Sequence, residues 1–191
     1  MTQQFGEINA ALTLIDGGAV LRDGERYIVV LANDNAAAFV KAAQQPLVTA
    51  SAWQALEIKA GYPNIDANHS GQYVAQMCNL QAIDGISFNK GCYMGQETIA
   101  RMKYRGGNKR ALYILSGTTS QTISTETQLD IALEEGFRRG GNIIECVQQG
   151  EHVLLTAVLA NDTENTAKLR IADDESSQLS IIELPYSLAD A

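Results

Sequence analysis

Short runs of apolar residues separated by polar turns predict strands near the N-terminus. Residues 8–32 are expected to form two or three strands, with residues 19–21 and 27–31 on either side of the turn pair Asp23-Gly24. A helix over residues 36–44, capped by Asn33-Asp34-Asn35, and a further strand at 52–60 are predicted next. Two strands, a helix and a strand are typical of part of a ferredoxin-like α+β sandwich.

The second half of the chain has a regular strand pattern. Six apolar runs follow one another between polar turns, at residues 111–115, 129–133, 141–147, 153–159, 168–171 and 179–184. They predict a small antiparallel β-barrel, whose closure would remove exposed strand edges. Since Gly106-Gly107 punctuates the chain just before, we expect an α+β domain at residues 1–105 and a barrel domain at 106–191. Arg138-Arg139 are expected in a charged turn.

The segment between these halves is rich in turn formers and contains three polar residues that are more readily explained by structure than by catalysis. We expect His69 to be an exposed loop histidine, because no nucleophile pattern surrounds it. Asp66 and Asp84 are expected to cap turns.

The segment with the densest chemistry is Lys90-Gly91-Cys92-Tyr93-Met94-Gly95-Gln96-Glu97. It follows no core-packing period until Ile99, and a helix is predicted from Gln96 onward. Cys92 should therefore lie in a loop at a helix N-terminus, where unpaired backbone N–H groups and the Lys90 ammonium favour thiolate over thiol. A reactive or ligand-capable cysteine and a small buried apolar residue are about equally supported by this pattern.

Composition and charge narrow the function classes. With 46% hydrophobic residues the chain can build a core, but no apolar run is long enough to cross a membrane, and the first residues lack a secretion signal. The three cysteines, Cys78, Cys92 and Cys146, are far apart, so no zinc or iron–sulfur set is expected and a reduced, cytoplasmic location fits best.

The net charge of −8 is unevenly distributed. Residues 89–110 hold six basic groups and one acid, Glu97, which gives this stretch a local charge of +5. We call its six cations the basic cluster: Lys90, Arg101, Lys103, Arg105, Lys109 and Arg110. Such a cluster favours an anionic partner at this place, although a solvated helix face explains it nearly as well.

The central octet resembles the signature of the folate-binding, YgfZ-type tRNA-modifying proteins, which are relatives of the glycine cleavage T-protein. The likeness extends to Asn79-Leu80-Gln81-Ala82, to Tyr104-Arg105-Gly106 and to Leu184-Pro185-Tyr186 near the C-terminus. It covers the chain from about Arg26 onward. The cysteine in the octet distinguishes this branch from the true aminomethyltransferases.

This resemblance implies a fold of three domains around a folate pocket, of which this chain is the C-terminal portion with an incomplete first domain. It implies tetrahydrofolate as the cofactor and Trp53 as a folate-binding residue, since an indole can stack on a pterin ring. The implied function is support of iron–sulfur enzymes that thiomethylate tRNA, through the Cys92 thiol. Lys90, Gln96 and Glu97 would assist the thiol, while Gly91, Tyr93, Gly95 and Arg101 would shape its loop.

The implied partners are folate, an iron–sulfur tRNA-modifying enzyme and, at the basic cluster, tRNA phosphate. A conventional enzyme is not indicated. Two alternatives remain open: a folate-dependent aminomethyltransferase-like or demethylase-like enzyme, and a non-catalytic interaction module.

Overall fold

The structure is a computed structural model that describes residues 12–24 and 26–188. Its described residues belong to two compact units, one within residues 1–48 and the other from residue 49 onward. The domain boundary predicted between residues 105 and 106 stays a prediction. Among the described residues, no helix is long and apolar enough to cross a membrane.

The first unit is a three-stranded antiparallel sheet with one helix. Strands β1 (Leu12–Ile15), β2 (Gly18–Asp23) and β3 (Arg26–Leu31) pair in chain order and are followed by α1 (Asn33–Ala43). Gly24, with a positive φ of 57°, occupies the predicted hairpin turn. The helix begins three residues before its predicted start, and the expected asparagine cap is wrong, because the cap residue is Ala32 and makes no side-chain capping bond. The predicted strand positions at residues 8–11 lie outside the described residues.

The second unit begins with helical segments, and the first of them replaces a predicted strand. Residues 50–59 form helix α2 (Ala50–Lys59), so the strand predicted at residues 52–60 is wrong. Alanine, glutamine, leucine and lysine dominate this stretch, and such residues lose little side-chain freedom in a helix. Two 3-10 turns, Ala75–Cys78 and Leu80–Ile83, and helix α3 (Gln96–Arg105) follow.

The remaining six strands form the predicted barrel. They are β4 (Arg110–Thr118), β5 (Gln128–Ala132), β6 (Phe137–Gln149), β7 (His152–Ala160), β8 (Leu169–Ile171) and β9 (Gln178–Ile182). They close in the order β4-β7-β6-β5-β8-β9, with every pair antiparallel. Alternate side chains fill the interior, including Leu115, Leu129, Ile143, Leu155 and Leu159, which are fully buried. The expected α+β class with a small antiparallel barrel is therefore confirmed.

Arg138 and Arg139 do not occupy the expected turn. Both lie at the start of β6, where Arg138 pairs with Ile131 of β5, and the turn is made by the residues just before the strand. The Arg139 guanidinium donates to Asn142 Oδ1 at 2.8 Å. The strand thus extends four residues further toward its N-terminus than the apolar pattern alone indicated.

Part of the outer face of the barrel is covered by the chain between α2 and α3. Cys78 of the first 3-10 turn packs with Leu112, Ile144 and Val158, which point outward from β4, β6 and β7. Asn79, in a left-handed conformation, binds both backbone groups of Leu112: its amide donates to the carbonyl at 2.8 Å and its oxygen accepts from the N–H at 3.1 Å. This arrangement fixes the segment that precedes the cysteine loop against the barrel.

Candidate functional site

The cysteine loop lies where the sequence places it. Gly95, with φ of 89°, is the N-terminal cap of α3, and Cys92 is exposed in the loop before it. A positive φ at the cap position suits glycine, which has no Cβ to strain this conformation. The Gln96 side-chain oxygen accepts a bond of 3.2 Å from the Tyr93 backbone N–H, which ties the loop to the first turn of the helix. Because Cys92 is exposed, the alternative of a buried apolar cysteine is excluded.

Lys90 lies beside the same loop. Its ammonium is 4.8 Å from the centre of the Tyr93 ring, within the range of a cation–π contact. Lys90, Tyr93, Gln96 and Glu97 all line a small cavity of about 180 Å³ between the loop and α3. Ligand pockets usually measure roughly 300–1,000 Å³, so this cavity is small for a whole cofactor. Cys92 is outside its lining and faces solvent.

The basic cluster is solvent-exposed. Arg101, Lys103 and Arg105 lie on α3, and Lys103 is 4.0 Å from the centre of the Phe88 ring. Glu97 and Arg101 are four residues apart on the helix. They do not form an ion pair among the described residues. The positive charge of Arg101 therefore faces outward with the rest of the cluster.

The other two cysteines differ from Cys92 in their surroundings. Cys78 is buried, and burial raises the pKa of its thiol to about 11. Cys146 is half-buried, and burial together with the nearby Glu145 carboxylate raises the pKa of its thiol. Raised pKa values keep both groups as unreactive thiols near neutral pH. Cys92 is the cysteine that solvent and a partner can reach.

Trp53 lies in a second, separate pocket of about 380 Å³. The indole is on α2, is 38% exposed, and shares the lining with Gln54, Glu57, Tyr62, Pro63 and Glu145. The lining of this pocket includes no residue of the cysteine loop, and the cavity beside that loop does not include Trp53. The structure thus separates the cysteine loop from the Trp53 pocket.

Glu145 is a pocket residue that the sequence analysis missed. It is 3% exposed, and its Oε1 accepts a bond of 3.0 Å from the Asn64 amide, while Oε2 has no hydrogen-bond partner among the described residues. A bulge in β6 between Ile143 and Glu145 shifts the register here. A glutamate within the otherwise apolar run at residues 143–147 was the available signal, since a buried carboxylate requires partners.

The end of α2 positions the pocket wall. Gly61, with φ of 69°, ends the helix: its N–H donates to Ile58 O at 3.0 Å, and the Tyr62 N–H donates to Glu57 O at 3.2 Å. These two bonds form a Schellman motif. The Tyr186 hydroxyl also donates to Gly61 O at 2.8 Å. The C-terminal Leu184-Pro185-Tyr186 element therefore anchors the turn that carries Tyr62 into the pocket.

His69 differs from its prediction. It is 4% exposed instead of lying on an open loop, and its Nδ1 is 2.8 Å from Asp66 Oδ1. Asp66 does cap the turn as expected, since its Oδ1 accepts the backbone N–H groups of Asn68 and His69. Across the described part of the chain, no group of three or more His, Cys, Asp or Glu residues could hold a metal ion.

The fold and this arrangement correspond to a known class of protein. Residues 108–174 match the family described as "YgfZ, beta-barrel domain", which covers β4 to β8 and begins close to the predicted domain boundary. The barrel is therefore a YgfZ-type domain.

Comparison with characterised proteins extends the relationship beyond the barrel. The chain is 47% identical over 148 residues to the "tRNA-modifying protein YgfZ" of Serratia proteamaculans, which covers 77% of this chain and 45% of that protein. It is 43% identical over 169 residues to the protein of the same name from Yersinia pestis, over 87% of this chain and 51% of that protein. The chain belongs to the YgfZ family, as its sequence predicted. It spans about half the length of the relatives it matches.

Proposed function

We propose that this chain is a folate-binding accessory protein for tRNA modification, acting in the cytoplasm through the Cys92 thiol. The relatives are named tRNA-modifying proteins, which supports a role in that process here. The observation that carries the proposal is the position of Cys92, exposed at the start of α3 with Lys90 two residues away. The clients would be iron–sulfur enzymes that thiomethylate tRNA.

The cysteine loop is suited to contact with a large partner. Met94 is fully exposed and Tyr93 is 37% exposed, so apolar surface flanks the thiol on its C-terminal side. The basic cluster continues this surface along α3, where it would meet tRNA phosphates or an acidic protein. In this role Cys92 acts as a nucleophile or ligand toward sulfur or iron carried by the partner. Lys90 places a positive charge two residues from Cys92, and Gln96 holds the loop through Tyr93.

The Trp53 pocket fits the pterin end of a folate. Its volume is within the usual range for ligand pockets, and the exposed indole offers a face for stacking. Folate bound there would supply one-carbon or redox chemistry of its own. Trp53 and Tyr62 would bind and orient the ring.

One observation favours the alternative of a folate-dependent transferase. Such an enzyme requires a carboxylate near the folate, and Glu145 lies in the wall of the Trp53 pocket. Its burial and its bond to Asn64 suit a binding role better than proton transfer with solvent. Formaldehyde release or aminomethyl transfer that depends on folate and on Glu145 would favour the enzyme over the accessory protein.

Growth complementation tests the proposal. This chain is expressed in a bacterial strain that lacks its own YgfZ protein, and growth is compared for wild type, Cys92→Ser and the control Cys146→Ser. Wild type and Cys146→Ser should restore growth, and Cys92→Ser should not. Full activity of Cys92→Ser would instead support a non-catalytic interaction module, and failure of the wild-type chain would contradict the proposal for this chain.

A further inference from the structure

Glu145 has an incomplete set of partners in a place where a ligand could complete it. Its carboxylate is 3% exposed, one oxygen is bound by Asn64 and the other has no partner among the described residues. A buried carboxylate left with few hydrogen bonds destabilises the fold, so native structures nearly always satisfy it. Because Glu145 also lines the Trp53 pocket, its carboxylate is an acceptor available for a bound molecule.

The surroundings define what kind of group would bind. Glu145 and Glu57 both line the Trp53 pocket, so this wall repels anions. It instead favours a neutral or cationic edge with N–H donors. A planar ring stacked on Trp53 with its N–H edge toward Glu145 satisfies both the indole face and the carboxylate.

We propose that Glu145 binds the 2-amino-4-oxopyrimidine edge of the ligand in the Trp53 pocket and sets the direction in which the ligand lies. This inference rests on the proposed folate site and names the residue that selects the pterin. The ring N–H and the exocyclic amino group donate to the carboxylate. The anionic glutamate tail of folate points away from the two acids and out of the pocket.

Asn64 is a positioning residue in this arrangement. The Schellman turn at Gly61 and the following Pro63 fix the backbone before Asn64, whose amide then holds Glu145 Oε1. The bulge in β6 places Glu145 opposite Thr156, whose buried Oγ1 also has no partner in the described part of the chain. If the Thr156 hydroxyl instead donates to Glu145, the carboxylate needs no ligand. Substitution of Thr156 is therefore the control for this inference.

The test compares ligands as well as variants. Affinity for 5-formyltetrahydrofolate is measured by calorimetry on the full chain, and competition is measured with pterin and with lumazine, which carries a carbonyl in place of the 2-amino group. Pterin should compete about tenfold or more better than lumazine, because lumazine presents an acceptor to the carboxylate. Glu145→Gln should remove most of that preference, while Thr156→Val should retain it.

The outcomes separate this inference from the proposed function. If wild type binds 5-formyltetrahydrofolate but does not distinguish pterin from lumazine, the role of Glu145 is wrong and the folate site remains. Equal preference in wild type and a folded Glu145→Gln would also overturn it. If wild type does not bind 5-formyltetrahydrofolate, the folate part of the proposed function fails as well. The wild-type comparison decides the matter even if Glu145→Gln does not fold.

Discussion

The Asn64 amide donates a 3.0 Å hydrogen bond to the carboxylate of Glu145, a residue 81 positions later in the chain. This bond joins the turn after α2 to strand β6 of the barrel. It also places a buried acid in the wall of the pocket that contains Trp53. The candidate ligand site is therefore assembled from the barrel and from the segment that precedes it, and neither part alone contains it.

The turn after α2 depends on Gly61. Replacing it with alanine should cost about 1 kcal/mol for the positive φ. It should cost about 1 kcal/mol more because the new Cβ would lie 2.8 Å from the Tyr186 ring. Urea unfolding of Gly61→Ala measures the total.

Gly71→Ala is the matched control for this prediction. Gly71 has a similar φ of 74° but has no atom within 4 Å of an added Cβ, so only the backbone strain should appear. Equal free energies of unfolding for the two variants would show that Tyr186 does not support the turn.

The three cysteines should differ in their rate of alkylation. At pH 8 iodoacetamide should modify Cys92 first, because it is exposed, while the pKa of buried Cys78 is raised from 9.0 to about 11. This shift alone lowers the thiolate fraction of Cys78 about 100-fold. Peptide mass spectrometry over a time course identifies the order, and Cys92→Ser should lose the fast phase. Early labelling of Cys78 would contradict the described packing.

Asp174 should link barrel stability to pH. Hydrogen bonds from Ser176 and Thr119 hold the pKa of its carboxyl well below its usual range. Because the folded pKa is depressed, this stabilisation is present above the ordinary value for aspartate and is lost as pH falls through the folded value.

Thermal unfolding between pH 7 and pH 2 tests this link, with Asp174→Asn as the variant. The variant should unfold at a lower temperature at pH 7, and the gap should narrow as the pH falls. A gap that stays constant with pH would show that the charge of Asp174 contributes nothing to stability.

The basic cluster should bind tRNA through its phosphates. Each of the variants Lys103→Gln and Arg105→Gln should weaken tRNA binding. Each should also reduce the steepness of log affinity against log salt concentration by about 1 for every phosphate contact that is lost. Gel-shift titrations at several salt concentrations give this slope. Arg138→Gln, which removes an exposed arginine at the start of β6, is the control and should leave the slope unchanged. Unchanged slopes for the α3 variants would indicate a protein partner or a solvated face.

The sequence predicted the parts of the molecule in which one local signal dominates. Alternating apolar residues predicted the six barrel strands, and the pattern around Gly95 predicted the loop that carries Cys92. The apolar residues at 50–59 resemble those of a short strand, but alanine and other helix-forming residues dominate the stretch and a helix forms instead.

The pocket around Trp53 could be predicted only in part. The resemblance to a family indicated Trp53, but the partners Asn64 and Glu145 come together through tertiary packing over 81 residues. His69 was misjudged for a similar reason, because its burial depends on how the loop folds onto Asp66. Local patterns contain no information about such long-range contacts.

The proposed role of the Cys92 thiol is tested most directly in the tRNA of cells that depend on this chain. Thiomethylated nucleosides are measured by mass spectrometry after expression of wild type or Cys92→Ser, and the affinity of each purified protein for tetrahydrofolate is measured alongside. We predict that Cys92→Ser loses thiomethylation and keeps its folate affinity, because Cys92 faces solvent and does not line the Trp53 pocket. Normal thiomethylation with Cys92→Ser would contradict the proposed role.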